Sequence, residues 1–374
     1  GIPVGFLMPE VSNALELLEI YSPLRRQKAL PEFNWLYLHA TAMNVASLVW
    51  AIHLAGYVLG DLKPQNILVN NGALPSIIDT DSFQVRHPKT GELYRCPVGS
   101  EGFTPAELLG QDLATVEQTV IHDRFRLGVI IHLLLFGDHP FKGRWVGSGD
   151  SPDPNELLQQ GWWPYAPNSP IQASPLTTPL AVVHPAVQDC FLRCFNTGHL
   201  NPSARPTANE WVGVLREAIA DLKRCRKVKN HDFSKTYGRC YWCDRKGALG
   251  VDIFPAIPTA QQNLVAKTTQ RVKVKVDSLS RKATQKLKRP ASNPKNVAVP
   301  VNLPSSPLPT PKVRTTISTS QIPIAPSVST SSPWIKSRWV RLGGIAGILV
   351  SLFSGLVWLS QSELEGEEMS LTLV

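Results

Sequence analysis

The chain has 374 residues, with 38 Lys and Arg against 29 Asp and Glu and a formal net charge of +9. Its 43% hydrophobic share excludes wholesale disorder, and six cysteines in this length exclude a disulfide-dense secreted scaffold. Residues 1–250 hold 23 basic and 23 acidic side chains, so the excess lies outside the part best able to fold, which argues against a globular nucleic-acid binder.

In chain order, Asn13 with Glu16 three residues on predicts a capped helix running through Leu15, Leu17, Leu18 and Ile20. Leu38, Ala42, Val45, Val49 and Ile52 recur at helical steps and predict a helix over about Phe33–Leu54. The β-prone runs Ile67–Val69 and Ser76–Ile78 flank Asn70-Asn71-Gly72, a hairpin signal. Further helices are predicted over Asp123–Leu135, Pro154–Gln160 and Pro185–Phe195, and a last one over Thr207–Leu222 opens on the capping box Thr207-Ala208-Asn209-Glu210. Residues 1–222 thus read as a mainly α domain with a short β hairpin, followed by a Cys- and His-bearing segment over 223–250.

Residues 251–335 are first basic, then rich in Pro, Ser and Thr, and read as a disordered linker. The stretch 251–341 carries 15 basic residues against Asp252 and Asp277, and its basic part between Lys267 and Lys295 suits anionic lipid as well as free solution. Leu342–Ser360 is then uncharged over 19 residues, which as a helix spans roughly 28 Å, close to a bilayer core. Trp334, Trp339 and Trp358 sit near its ends like interfacial anchors. Lys336, Arg338 and Arg341 precede it, and only acids follow in the tail 361–374. The positive-inside rule places the first 341 residues in the cytoplasm and the C-terminus outside, making a single-pass membrane protein.

The densest chemical signal is Gly60-Asp61-Leu62-Lys63-Pro64-Gln65-Asn66, with Ile78-Asp79-Thr80-Asp81 twelve residues beyond Asn66. Phosphoryl transfer needs a carboxylate near the attacking hydroxyl, a cation for the moving phosphate and oxygen ligands for magnesium. Asp61, Lys63, Asn66 and Asp79 supply those types in one loop–hairpin unit. Any one of them is ordinary in a loop; the whole string is not.

On these residues the chain resembles the eukaryotic-like serine/threonine protein kinases, specifically their C-terminal lobe. Gly5–Val11 resembles the strand and hinge between lobes, and Thr104-Pro105-Ala106-Glu107 the end of the activation segment. Asp123-Arg124-Phe125-Arg126-Leu127-Gly128 is similar to the start of the helix that braces the catalytic loop, and Phe136–Phe141 and Arg205-Pro206 fit the later part of the lobe. The resemblance implies that Asp61 accepts the substrate proton, Lys63 neutralises the γ-phosphate, and Asn66 and Asp79 hold magnesium for ATP. It also implies a Glu107–Arg205 ion pair and a protein substrate.

The chain departs from the family at three places. Leu59-Gly60 replaces the usual His-Arg, which removes a cationic partner for a phosphorylated activation loop. Asp79-Thr80-Asp81 replaces Asp-Phe-Gly, leaving Asp81 as a further ligand or a solvated charge. No Gly-rich loop, ATP-gripping Lys or helix Glu precedes the motifs, so the sequence reads as a kinase seen without its N-terminal lobe. A pseudokinase-like scaffold or binding module is the alternative.

Cys225, His231, Cys240 and Cys243 come next, with the spacing C-x5-H-x8-C-x2-C, which suits a structural zinc. A bacterial subset of kinase-like proteins has a similar knuckle, here Cys240-Tyr241-Trp242-Cys243. A redox pair or unrelated thiols are the other readings, but a redox pair would open a helix in a thioredoxin-like unit, and no such helix is predicted. Cys190 and Cys194, four apart on a predicted helix, read as core residues.

Overall fold

In the computed structural model, which describes residues 10–257, Asn13 lies in the left-handed region at φ 55° and turns the chain into strand β1 (Ala14–Glu16). The helix expected from Asn13 instead starts at α1 (Leu17–Tyr21), and Glu16 pairs with Leu68 across a sheet where a capping box was expected. Long-range strand pairing satisfies the backbone groups that a helix turn would have used. The short helix α2 (Pro23–Ala29) follows, with Pro23 in its first turn.

Helix α3 (Trp35–Leu54) starts two residues later than expected because Asn34 caps it, its side chain accepting from the Leu36 and Tyr37 N–H groups. Trp35 through Ala46 are buried on every face, so α3 is the axle of the domain. Among the described residues it is the one helix long and apolar enough to cross a membrane, with a mean hydropathy of 1.2, but 72% of that window is buried inside the protein.

The hairpin of β2 (Ile67–Asn70) and β3 (Pro75–Ile77) forms as expected, with Ile67 opposite Ile77. The Asn70 side chain accepts from Gly72 and Leu74 and closes the turn. With β1 on its outer side the sheet has three strands, ordered β1-β2-β3. A two-stranded ribbon, β4 (Val85–Arg86) with β5 (Leu93–Tyr94), precedes α4 (Val120–Phe136), which begins earlier than expected on the cap of Thr119 with His122. The Trp35 indole donates to the Leu135 carbonyl at 3.0 Å and locks α3 to α4.

Beyond α4, β6 (Arg144–Trp145), α5 (Pro154–Gln159) and β7 (Ile171–Gln172) form a peripheral layer. Helix α6 (Pro185–Leu192) widens into a π turn over Arg193–Thr197 and ends in α7 (Gly198–Leu200). Thr207 and Glu210 form the expected capping box of α8 (Ala208–Asp221), which packs along α3. The described residues close with the ribbon β8 (Leu222–Arg224) and β9 (Asp232–Ser234), then α9 (Tyr241–Leu249). Trp242 of α9 is buried against Trp35 and Phe254, with ring centroids 5.0 and 4.8 Å apart.

The helices and the short hairpin expected of a mainly α domain are present, and among the described residues the structure adds β1 to the hairpin sheet and three two-stranded ribbons. Two-residue strands are too short to leave an alternating pattern in the sequence. The expected hinge at Gly5–Val11, apart from Glu10 and Val11, lies outside the described residues, as do the expected membrane helix 342–360, the acidic tail and all of the expected 251–335 linker but residues 251–257, which are not free but packed through Phe254 and Ile257.

Candidate active site

The loop between α3 and β2 is shaped by Gly60, whose φ of 73° favours glycine. A Cβ there would lie 2.6 Å from both Cβ and Sγ of the buried Cys96, so no side chain fits at the position where the resemblance called for an Arg. The loop's amides are held from below by Asp123 of α4, itself fully buried. Its Oδ2 accepts from Leu59 N at 2.8 Å and lies 3.0 Å from His53 Nε2, while its Oδ1 accepts from Gly60 N at 3.1 Å. The buried Arg126 guanidinium balances that carboxylate at 3.3 Å and donates to the Gln118 side chain at 2.7 Å.

So anchored, the loop places Asp61 at the site with 3% exposure. Lys63 Nζ donates to Asp61 Oδ2 at 2.6 Å, and Ser100 Oγ donates to Asp61 Oδ1 at 2.8 Å; Lys63 also reaches Ser100 Oγ at 3.2 Å. Asn66, in a 3-10 turn, donates to the Asp61 carbonyl and to Asp79 Oδ2, both at 3.1 Å. Asp79 holds φ 60°, a left-handed conformation that aspartate tolerates better than most residues, and lies exposed at the mouth of the site. Asp81 comes in the next turn and is exposed. All four residues read from the sequence, Asp61, Lys63, Asn66 and Asp79, thus converge.

The amide oxygen of Asn66 and the carboxylate of Asp79 are hard oxygen donors side by side, a set that fits magnesium. Behind the site Arg205 clasps Glu107 through two bonds of 2.6 and 2.8 Å and donates to the Gly198 carbonyl. Burial raises the Glu107 carboxyl, but the Arg205 guanidinium outweighs it and holds the group below its ordinary value. The ion pair expected between these residues is present.

Asp123 stands where the resemblance put the start of the bracing helix, whereas sequence reasoning assigned no part in the site to Ser100, His53 or Cys96. Only Ser100 left a signal, as a hydroxyl residue after Gly99, where a Cβ would strike Thr104 at 2.7 Å.

The second constellation also assembles. Donor atoms of Cys225, His231, Cys240 and Cys243 all lie within 4.8 Å of one another and could hold a metal ion. Cys240 caps α9, so the Cys-x2-Cys pair does open a helix, contrary to expectation. Among the described residues that helix follows only the short β8–β9 ribbon, not the sheet of a thioredoxin-like unit. Burial raises the Cys225 thiol, but N–H groups of Val228 and Lys227 and the neighbouring thiols bring it below its ordinary value. Cys240 and Cys243 are pushed up, first by burial and then by the nearby thiols. Cys190 and Cys194 are buried, as expected of core residues.

Residues 6–213 match the model of the family described as protein kinase domain. Protein kinase YegI of Escherichia coli O157:H7 is 32% identical over 258 residues, covering 67% of this chain and 39% of that protein. Protein kinase YegI of Escherichia coli strain K12 is 31% identical over 275 residues, covering 71% and 42% respectively. Flippase kinase 1 of Saccharomyces cerevisiae is 29% identical over 118 residues, 27% of this chain and 13% of that protein. The chain spans about two fifths of the length of the two bacterial relatives.

Proposed function

The chain belongs to the protein kinase family, and on that premise we propose that it transfers the γ-phosphate of ATP to serine or threonine hydroxyls of protein substrates. The observation that carries this reading is the convergence of Asp61, Lys63, Asn66 and Asp79 on one anchored loop and hairpin. Asp61 orients the substrate hydroxyl and takes its proton, a role worth about 10²–10⁴-fold. Lys63, two residues on, stands ready to neutralise charge on the γ-phosphate. Ser100 and Lys63 hold the Asp61 carboxylate in place until a substrate hydroxyl competes for it. Asn66 and Asp79 would hold magnesium, which when bound neutralises phosphate charge.

The Lys63 pattern supports the serine/threonine class. We place the kinase domain in the cytoplasm, tethered by a basic and Pro-rich linker to a membrane helix at 342–360, with the acidic tail outside. This rests on the charge asymmetry about that span. The second reading, a binding module without phosphoryl transfer, is favoured by Thr80-Asp81 after Asp79. Incubation of the purified protein with γ-labelled ATP, magnesium and a protein substrate separates the two. Label on serine and threonine that is abolished by a magnesium chelator supports the kinase; ATP binding without label supports the module.

A further inference from the structure

We propose that Cys225, His231, Cys240 and Cys243 bind one zinc ion, that Asp252 positions the histidine for it, and that the ion fixes the seat of Trp242 on the kinase body.

The spacing of the donors carries this. Zinc bonds of about 2.3 Å to sulfur and about 2.0 Å to nitrogen, in a tetrahedron, put neighbouring donors about 3.5–3.8 Å apart. Cys225 Sγ and Cys243 Sγ are 3.6 Å apart, and His231 Nδ1 lies 3.6 Å from Cys240 Sγ and 3.4 Å from Cys243 Sγ. A disulfide would need about 2.05 Å between sulfurs. Three thiols and an imidazole crowded in this way, with no bond between them, have the shape of a coordination shell.

The tautomer agrees. His231 is fully buried, and its Nε2 lies 2.9 Å from Asp252 Oδ1. A carboxylate accepts, so Nε2 carries the proton and the Nδ1 lone pair faces the thiols. Such a carboxylate behind a ligating imidazole fixes ring orientation and raises its basicity. Asp252 is in turn held by the Phe254 N–H at 3.0 Å and by Lys246 at 3.2 Å.

The elements joined give the ion its purpose. Cys225 and His231 bracket the β8–β9 turn, closed by Cys225 N to His231 O at 2.9 Å, while Cys240 and Cys243 belong to the start of α9. Between the latter two stands Trp242, whose indole donates to Asp232 O at 2.7 Å and packs on Trp35, the first residue of α3. Phe254 completes the stack and lies under the buried Arg26 guanidinium at 4.7 Å. One ion thereby ties the C-terminal segment to the axle of the domain.

The test is the metal content of the full chain purified without chelators, followed by cobalt titration of the stripped protein. One zinc per chain, and a cobalt spectrum with thiolate charge-transfer absorption, are expected. Cys240→Ser should abolish both, and Asp252→Asn should weaken affinity about 10–100-fold in chelator competition while keeping one metal per chain. Wild-type protein without zinc and without the cobalt thiolate band overturns the site, as does thiol titration showing a Cys225–Cys243 disulfide. Zinc that survives Cys240→Ser places the metal elsewhere and also overturns it; unchanged affinity in Asp252→Asn removes the positioning role. The wild-type measurements stand even where a variant fails to fold.

Discussion

Gly60 and Asp123 together decide where Asp61 points. The glycine turns the chain at φ 73° with no room beside Cys96, and the carboxylate receives the two amides that the turn exposes. Gly60→Ala adds left-handed strain and a contact of 2.6 Å to a short side chain that cannot swing away. The variant is expected to lose about 1–3 kcal/mol of stability, read as a lower urea midpoint at unchanged slope. A midpoint within error of the parent protein would mean that Cys96 yields freely. The four site residues were legible because they fall in one short string whose chemistry is specific in combination. Ser100 was not, since an isolated serine gains meaning only when folding brings it to Asp61 from 39 residues away; Asp123 was legible as the start of the bracing helix, but not which amides it receives from 64 residues away.

Local capping signals marked the helices well wherever tertiary pairing left them alone. Thr207 and Glu210 exchange both bonds of the capping box at the head of α8, the helix that lies along α3. Thr207→Ala removes the side-chain acceptor for the Glu210 N–H and is expected to cost about 1 kcal/mol, a fall of a few degrees in melting temperature. No fall would show that packing on α3, not the cap, sets where α8 begins. The similar signal at Asn13 and Glu16 misled because β2 offers the same backbone groups a strand partner. Helix α9 escaped notice for another reason: its nine residues carry a buried Trp242 but little periodicity, and cysteines occupy its start.

At the scale of the whole molecule, the core contains histidines that must stay uncharged. His132 lies among Phe136, Phe191, Trp163 and Phe195 and donates through Nδ1 to the Asp138 carbonyl. Burial lowers it to about 3, and lowers His39, also in the core, and the half-buried His139 to about 4 each. In the unfolded chain all three titrate near 6.5. Their contribution to stability is therefore complete above about pH 6.5 and is lost as pH falls toward 4, because the unfolded state binds more protons in that window. Urea midpoints measured from pH 7 to 4 should decline steadily, by about 1 kcal/mol per pH unit for each such histidine. A flat profile to pH 4.5 would contradict their burial as neutral rings.

The charge asymmetry between the balanced residues 1–250, the basic stretch 251–341 and the acidic residues after it was readable from composition alone. Which residues face one another across the domain was not, because α3, α4 and the catalytic loop meet only in three dimensions. In the proposed function Asp61, held by Ser100 and Lys63, serves as the base of a phosphoryl transfer. The most direct measurement is the initial rate of magnesium-dependent phosphoryl transfer to a protein substrate by Asp61→Asn and by the parent protein, with melting temperatures taken alongside. A rate lower by about 10²–10⁴-fold at unchanged melting temperature is expected; a rate within a few-fold of the parent would contradict the assignment.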